Sequence, residues 1–396
     1  MMKRWLLLLP MMGGMACQSP TETTDVSERT DSISTVDVYA DYPMKRLDIS
    51  ELAEVAYLPL NKKRLIKNRS YHGTFTGNVS ENLIVSYTFD GDVEIFNHSG
   101  QKLHEFNHQQ VNEEGSYIGI HALSADEERQ EVWILDYDHS FKIYALDGTY
   151  RRTLKVPESL NVQTMRNWSE DSLLCYDDHL VAEGLSRNAY PFYLFSKRDG
   201  GIRKLTSVRV SNRINHSERF VLDVGGTRQV LNFTLSVSPL AIGGGRAILA
   251  DFAKDTMFCF QQGVVSPLFV RKPSVFASLP FVLGSVDFVT SHHLFFSFAE
   301  KTQGNNSFER NLLYDFETKE VTAYQLLNND FEPCLSLPVN SWKSNYPSNW
   351  LVNEMSADRF LQYHREEKLK GKAAEVAEKI RKTDTSVLIL YKFHDK

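Results

Sequence analysis

The sequence predicts an all-β fold, a six-bladed β-propeller, on three observations. Two windows superimpose: ILDYDHSFKIYALDG (134–148) and LADFAKDTMFCFQQG (249–263). Each carries an Asp followed by an aromatic residue and closes on a turn glycine, Asp136 with Gly148 and Asp251 with Gly263. Next, the strand-like segment ELAEVAYLPL (51–60) has no hairpin partner nearby, and the last strand-like segment, SVLILYKF (386–393), ends an incomplete unit. Finally, aromatic residues make up 12% of the chain, with 24 Phe and 17 Tyr, which suits half-buried pleated surfaces.

Each window reads as strand, turn, strand, turn. The first strand ends at Asp136 or Asp251 and the second near Tyr144 or Phe260. Asp147-Gly148 and Ser99-Gly100 suit tight turns that need positive φ. A third copy, LIVSYTFDGDVEIFNHSG (83–100), places Ser86 where the others have Asp. Weaker copies pair SLLCYDD (172–178) with YPFYLFSKRDGG (190–201), and HHLFFSFAEK (292–301) with RNLLYDFETKEV (310–321). The last pairs WLVNEMSADRFLQYH (350–364) with SVLILYKF. Residues 45–396 therefore divide into six units. The strand after the spacer is expected to complete the last blade, so that only short sheet edges remain.

The units exceed the about 40–50 residues of a small blade, so insertions are expected. One is the long connection 206–245, ending in Gly243-Gly244-Gly245. The other is REEKLKGKAAEVAEKIRK (365–382), near the C-terminus. There Leu369, Ala373, Val376, Ala377 and Ile380 recur at helical spacing. They predict one amphipathic helix packed on the sixth blade.

The first residues read as a leader. Lys3 and Arg4 precede an apolar run, 5–12, far short of the ~20 residues that span a bilayer. Gly13, Gly14 and Ala16 follow, then Cys17. Residues 1–16 are expected to be removed on export. Residues 17–44 are expected to be a flexible tether, since 18–38 is rich in Ser, Thr, Asp and Glu and buries too little to offset its ordering entropy. The layout resembles a bacterial lipoprotein signal, with Gly14 where an aliphatic residue is commoner. That resemblance implies acylation of Cys17 and a membrane-anchored place in the cell envelope, at the outer membrane, facing the periplasm or the cell surface.

No catalytic signature is present: no GxSxG elbow, HExxH pair, Walker loop or GxGxxG after a strand. A net charge of −6 argues against a nucleic-acid partner. With Cys17 lipidated, Cys175, Cys259 and Cys334 form an odd set without CxxC spacing. Buried thiols are expected for Cys175 and Cys259, and no metal site. His292 and His293 are adjacent on a strand and point to opposite faces. Asp136 and Asp251 admit two readings. Each caps its own blade's turn, or both join a ring of calcium ligands in the channel. Repetition with the blade favours capping. Arg166, Asn167 and Trp168, between the second and third blades, are a candidate binding rim.

The stretch 113–154 resembles the repeats of six-bladed, TolB-like or NHL-like propeller lipoproteins of Bacteroidota. Residues 132–136 and 142–148 match the aliphatic-x-Asp strand and the strand ending in Asp-Gly. Gly115 and Tyr117 match the preceding turn loosely, without its Pro. The resemblance implies the fold and is silent on function. A non-enzymatic binding or scaffold role is expected, with no cofactor, for a peptide, a glycan or another envelope protein. The alternative is a metal-dependent hydrolase or lyase with calcium in the channel. Cys17→Ala is expected to move the protein from membrane to soluble fractions on cell fractionation. Unchanged membrane retention contradicts the anchor.

Overall fold

The computed structural model describes residues 33–63, 73–109, 112–178, 180–181, 184–185, 189–224, 227–302, 308–339, 344–345 and 349–394. Cys17 and the leader lie outside them. Six sheets follow one another along the chain as the blades of a propeller. Blade 1 comprises Gly77–Val79, Leu83–Tyr87, Val93–Asn97 and Lys102–Phe106. Blade 2 comprises Ile120–Asp126, Glu131–Asp136, Ser140–Ala145 and Tyr150–Lys155. Blade 3 comprises Val162–Ser169, Ser172–Asp177, Phe192–Ser196 and Ile202–Lys204. Blade 4 comprises Leu240–Gly243, Arg246–Leu249, Thr256–Gln261 and Val264–Lys272. Blade 5 comprises Val282–Val289, His293–Glu300, Glu309–Asp315 and Val321–Asn328. In blades 2 to 5 the first strand is innermost, and in blade 1 Ser344–Asn345 pairs in parallel inside Gly77–Val79. Asp136 and Asp251 stand at or just past the end of a second strand, as the repeat predicts.

Blade 6 closes the ring as expected. Its strands Trp350–Ser356 and Ser386–Phe393 are completed on the outside by Ala53–Leu60. The last pairing runs unbroken and antiparallel, with Ala53 opposite Phe393 and Leu60 opposite Ser386. Val387, Leu388 and Tyr391 are fully buried, and Ile389 is nearly so.

The expected tether is shorter than residue 44. Ser34–Asp37 adds a parallel strand outside Val264–Lys272 of blade 4, and Met44–Asp48 does the same outside Val321–Asn328 of blade 5. The spacer-like composition hides a period-two alternation in which Val36 and Val38 are fully buried. A single helical turn, α1 (Ile49–Leu52), follows, capped by Asp48 Oδ1 accepting from Ser50 N at 2.9 Å. The covered edge of blade 5 explains its belt strand; the covered edge of blade 4, which carries Arg271 and Lys272, does not follow the same rule. Val321–Asn328 contains no charged residue, and such an edge left open invites pairing with another chain. The uncovered outer strands of blades 1, 2 and 3 each carry Lys or Arg: Lys102, Arg152 and Lys204 among them.

Two insertions differ from expectation. Residues 357–364 are not strand. Ser356 Oγ accepts from Arg359 N at 3.3 Å and starts helix α2 (Ala357–Arg365), whose Phe360 is fully buried. The predicted helix over 365–382 is only α3 (Gly371–Ala377). Leu369 instead forms a bridge to Phe331, and Gly371 adopts φ +51° as the chain turns. The predicted stripe still faces inward, with Leu369, Ala373 and Ala377 buried and Val376 and Ile380 half-buried against the core shared with blade 6. The glycine triplet lies inside blade 4. Gly243 ends its first strand, and Gly244 and Gly245, at φ +56° and +72°, make its tight turn. A Cβ on Gly243 would sit on the Val289 carbonyl. The long connection thus ends at residue 239, and it contains the hairpin Ser217–Val224 with Thr227–Thr234.

Insertion length is not shared between the two faces. On one face the described connections are short, for example 80–82, 127–130, 170–171, 244–245 and 290–292. On the other begin and end the connections 61–76, 107–119, 178–191, 205–239 and 357–385. Deleting residues 17–48 is expected to leave a folded propeller that self-associates with rising concentration in light scattering. A monomer at all concentrations contradicts the edge-covering role.

Candidate functional site

The repeated aspartates are structural braces. Asp136 Oδ1 accepts from the backbone N–H groups of Tyr137 (2.7 Å), Ile118 (2.9 Å) and Gly119 (3.1 Å). It therefore fixes both its own turn and the loop that enters its blade. Asp251 Oδ1 accepts from Ala253 N at 2.9 Å, while Oδ2 accepts from the Tyr176 hydroxyl at 3.2 Å and faces Arg213 Nε at 3.2 Å. Arg213 belongs to the insertion 205–239 and lies over the Tyr176 ring. Asp251 so pins that insertion to blades 3 and 4. Among the described residues no group of three or more His, Cys, Asp or Glu is placed to hold a metal ion. The calcium reading finds no ligand set there.

The candidate rim residues divide. All three lie on the innermost strand of blade 3 rather than between blades. Arg166 is buried in the wall. Asn167 and Trp168 reach the short-turn face, where a recess of about 610 Å³ opens between blades 6, 1, 2 and 3. Trp168 is stacked on Phe260, with centroids 4.8 Å apart. Trp350, from the start of its blade 6 strand, supplies a second indole to the same recess.

Carboxylates ring these indoles, and most are paired. The fully buried Lys197 ammonium donates to Asp126 Oδ2 (2.6 Å), Asn167 Oδ1 (2.5 Å) and Ser169 O (2.7 Å). Burial pulls the Lys197 pKa down, and Asp126 opposes that. Removing one partner of such a buried pair costs about 3–5 kcal/mol. Lys392 pairs with Glu81 at 2.7 Å and lies over the Trp350 ring. Arg129 reaches Asp171 at 3.0 Å and Glu170 at 4.0 Å. Glu127 accepts from Asn82 Nδ2 at 2.5 Å, and exposed Glu128 lines the recess.

A second recess, about 810 Å³, runs along one side of blade 5. At its inner end lies Asp287, 2% exposed. Ser285 Oγ donates to Asp287 Oδ1 at 2.7 Å, and Oδ2 has no hydrogen-bond partner. Burial pushes the Asp287 pKa up to about 7; the Ser285 and Ser297 hydroxyls oppose the shift and Glu309 adds to it.

The remaining sequence candidates stay apart. His293 starts a blade 5 strand and faces Asp315 at 3.7 Å, and His292 sits in the preceding turn. Cys175 is buried, Cys259 half-buried and Cys334 exposed; all three are free thiols. Sequence reasoning missed Lys197, Asp126, Trp350 and Asp287. Lys197 sits in a turn-like SKRDGG and Asp126 in an acidic run, both of which read as solvated. Asp287, a lone acid in FVLGSVDFV, was a usable signal.

No protein-family model matches the chain, and no curated protein matches it in sequence. Among solved structures, a crystal structure of a Bacteroides fragilis protein, provisionally described as exported, is similar, with a TM-score of 0.57 at 12% identity. That match covers 92% of this chain and all (100%) of the other. It supports the propeller fold. The WD40 domain of Neurospora crassa Pan2 is more distant, with a TM-score of 0.37 at 8% identity over 81% of this chain and 89% of the other.

Asp287 gives a pH signature. Its folded pKa of about 7 exceeds its ordinary value of 3.8, so the folded state holds the proton more tightly. The stabilisation is complete below pH 3.8 and is lost as pH rises through 7, at most about 4 kcal/mol. Asp287→Asn is expected to be near neutral at pH 5 and stabilising at pH 8 in denaturant melts. An equal effect at both pH values contradicts the buried, protonating carboxyl.

Proposed function

We propose that the protein is an exported, lipid-anchored binding protein of the cell envelope, and that its short-turn mouth holds a glycan. The observation that carries this reading is the recess built on Trp168 and Trp350. The buried Trp350 backs the recess, and half-buried Trp168 offers apolar ring surface to a sugar. The surrounding amide and carboxylate oxygens and the Asn167 and Gln130 amides suit its hydroxyl edge. Because Glu81, Asp126 and Glu170 face cations, the recess has less unbalanced charge than its composition suggests. That favours a neutral polyhydroxyl ligand over a strongly basic one.

Export and anchoring rest on the leader ending at Cys17 and on the fold likeness to a protein provisionally described as exported. No helix among the described residues is long and apolar enough to cross a membrane. A lipid on Cys17 supplies attachment without one.

The test is an oligosaccharide array probed with the mature chain carrying C17A, followed by titration of the strongest oligosaccharide. Trp168→Ala is expected to weaken binding at least tenfold in a chain that still melts cooperatively, and Glu128→Gln by less. Absence of binding to any oligosaccharide, or equal binding by Trp168→Ala, overturns the reading.

A further inference from the structure

The blade 5 recess has a different chemistry from the mouth. Its lining includes two carboxylates, Asp287 and Glu309, and among the described residues no Lys, Arg or His. Asp287 is nearly inaccessible and has one oxygen without a donor. Glu309 is exposed, and no hydrogen bond or ion pair of its side chain occurs among the described residues. An unpaired buried carboxylate is costly and is relieved either by a proton or by a cation. The rest of the lining separates into a polar group, Ser297, Asn311 and Tyr324, and an apolar one, Leu235, Leu326, Leu337 and Val339. At about 810 Å³ the recess is within the size range of small-ligand sites.

We propose that this recess binds an alkylammonium group, its charge on Asp287 and Glu309 and its aliphatic stem along Leu326, Leu337 and Val339. The Ser285 hydroxyl, donating to Oδ1, leaves Oδ2 to accept from the ammonium. Met44, on the belt strand, forms part of the wall, so the segment leading from the anchor borders this site. The titratable groups that face Asp287 are Glu309 and the Tyr324 phenol. Tyr324 stays neutral because burial raises its pKa well above 10.0. Deprotonation of Asp287 therefore controls binding: an amine, charged throughout, binds more tightly as pH rises from 6 to 8.

The chemistry fits a free diamine or a lysine side chain of a partner chain. Calorimetric titration of the mature C17A chain with 1,5-diaminopentane, with the peptide Gly-Lys-Gly and with neutral 1,5-pentanediol distinguishes them. At least one amine is expected to bind, the diol not, with affinity rising about tenfold between pH 6 and pH 8. Asp287→Asn and the exposed Glu309→Gln are each expected to weaken amine binding at least fivefold, while Glu128→Gln at the mouth changes nothing. The better amine identifies the source. Failure of both amines to bind, equal diol binding, or full binding by Asp287→Asn and Glu309→Gln overturns the proposal. None of these outcomes depends on glycan binding at the mouth.

Discussion

The ring depends on one pairing, Ala53–Leu60 against Ser386–Phe393. Every other blade is built largely from strands adjacent in sequence, so each can form from local contacts. Blade 6 needs both ends of the chain. Thr385 N donates to Leu60 O at 2.9 Å and Lys62 N to Thr385 Oγ1 at 3.2 Å, contacts 323 residues apart for the second. Closing so long a loop costs entropy, but the cost grows only logarithmically with length. A cross-strand ladder with an almost continuously buried strand offsets it. The belt extends the same solution outward: the chain lays strands along blades 4 and 5 before it reaches blade 6.

Closure also sets the two faces apart. Turns between first and second strands are held short because they converge on the axis, where there is little room. The insertions all leave by the opposite face, and buried polar braces hold them down: Arg213 with Asp251, and His216 facing Asp178 at 3.5 Å. The mouth on the short-turn face is consequently made of strand ends. Asn167, Trp168 and Trp350 sit on strands, each laddered to its outer neighbour, and not on loops, which favours a fixed geometry over an adaptable one.

The sequence made some of this legible and hid the rest for physical reasons. Second and third strands show as apolar runs because both sides of a blade are covered, as in VWILD and FYLFS. The closing strand was legible because it stood alone. First strands were not, since two are short and the channel side admits polar residues: GNV and LAIG carry no period, and IHALSAD ends in a carboxylate. The belt strands were hidden by their polar neighbours. Of the rim, Trp168 and Asn167 were visible as residue types. Their partner Lys197 was not, because nothing in SKRDGG shows that its ammonium is swallowed by blade 2's Asp126.

The two recesses show how the same residue type acquires opposite meanings. At the mouth, Asp126 and Glu81 have cations of this chain within 2.7 Å, so their charge is spent on holding strands together. What remains for a ligand is ring surface and hydrogen-bonding edge. On blade 5, Asp287 has only the hydroxyls of Ser285 and Ser297, and Glu309 shares its field without relieving it. A carboxyl left in that state is tolerated because it takes up a proton near neutral pH, and the tolerance is conditional. On that proposal an ammonium entering the recess takes the proton's place on Asp287, so the vacancy in the pairing, more than the presence of acids, selects the ligand.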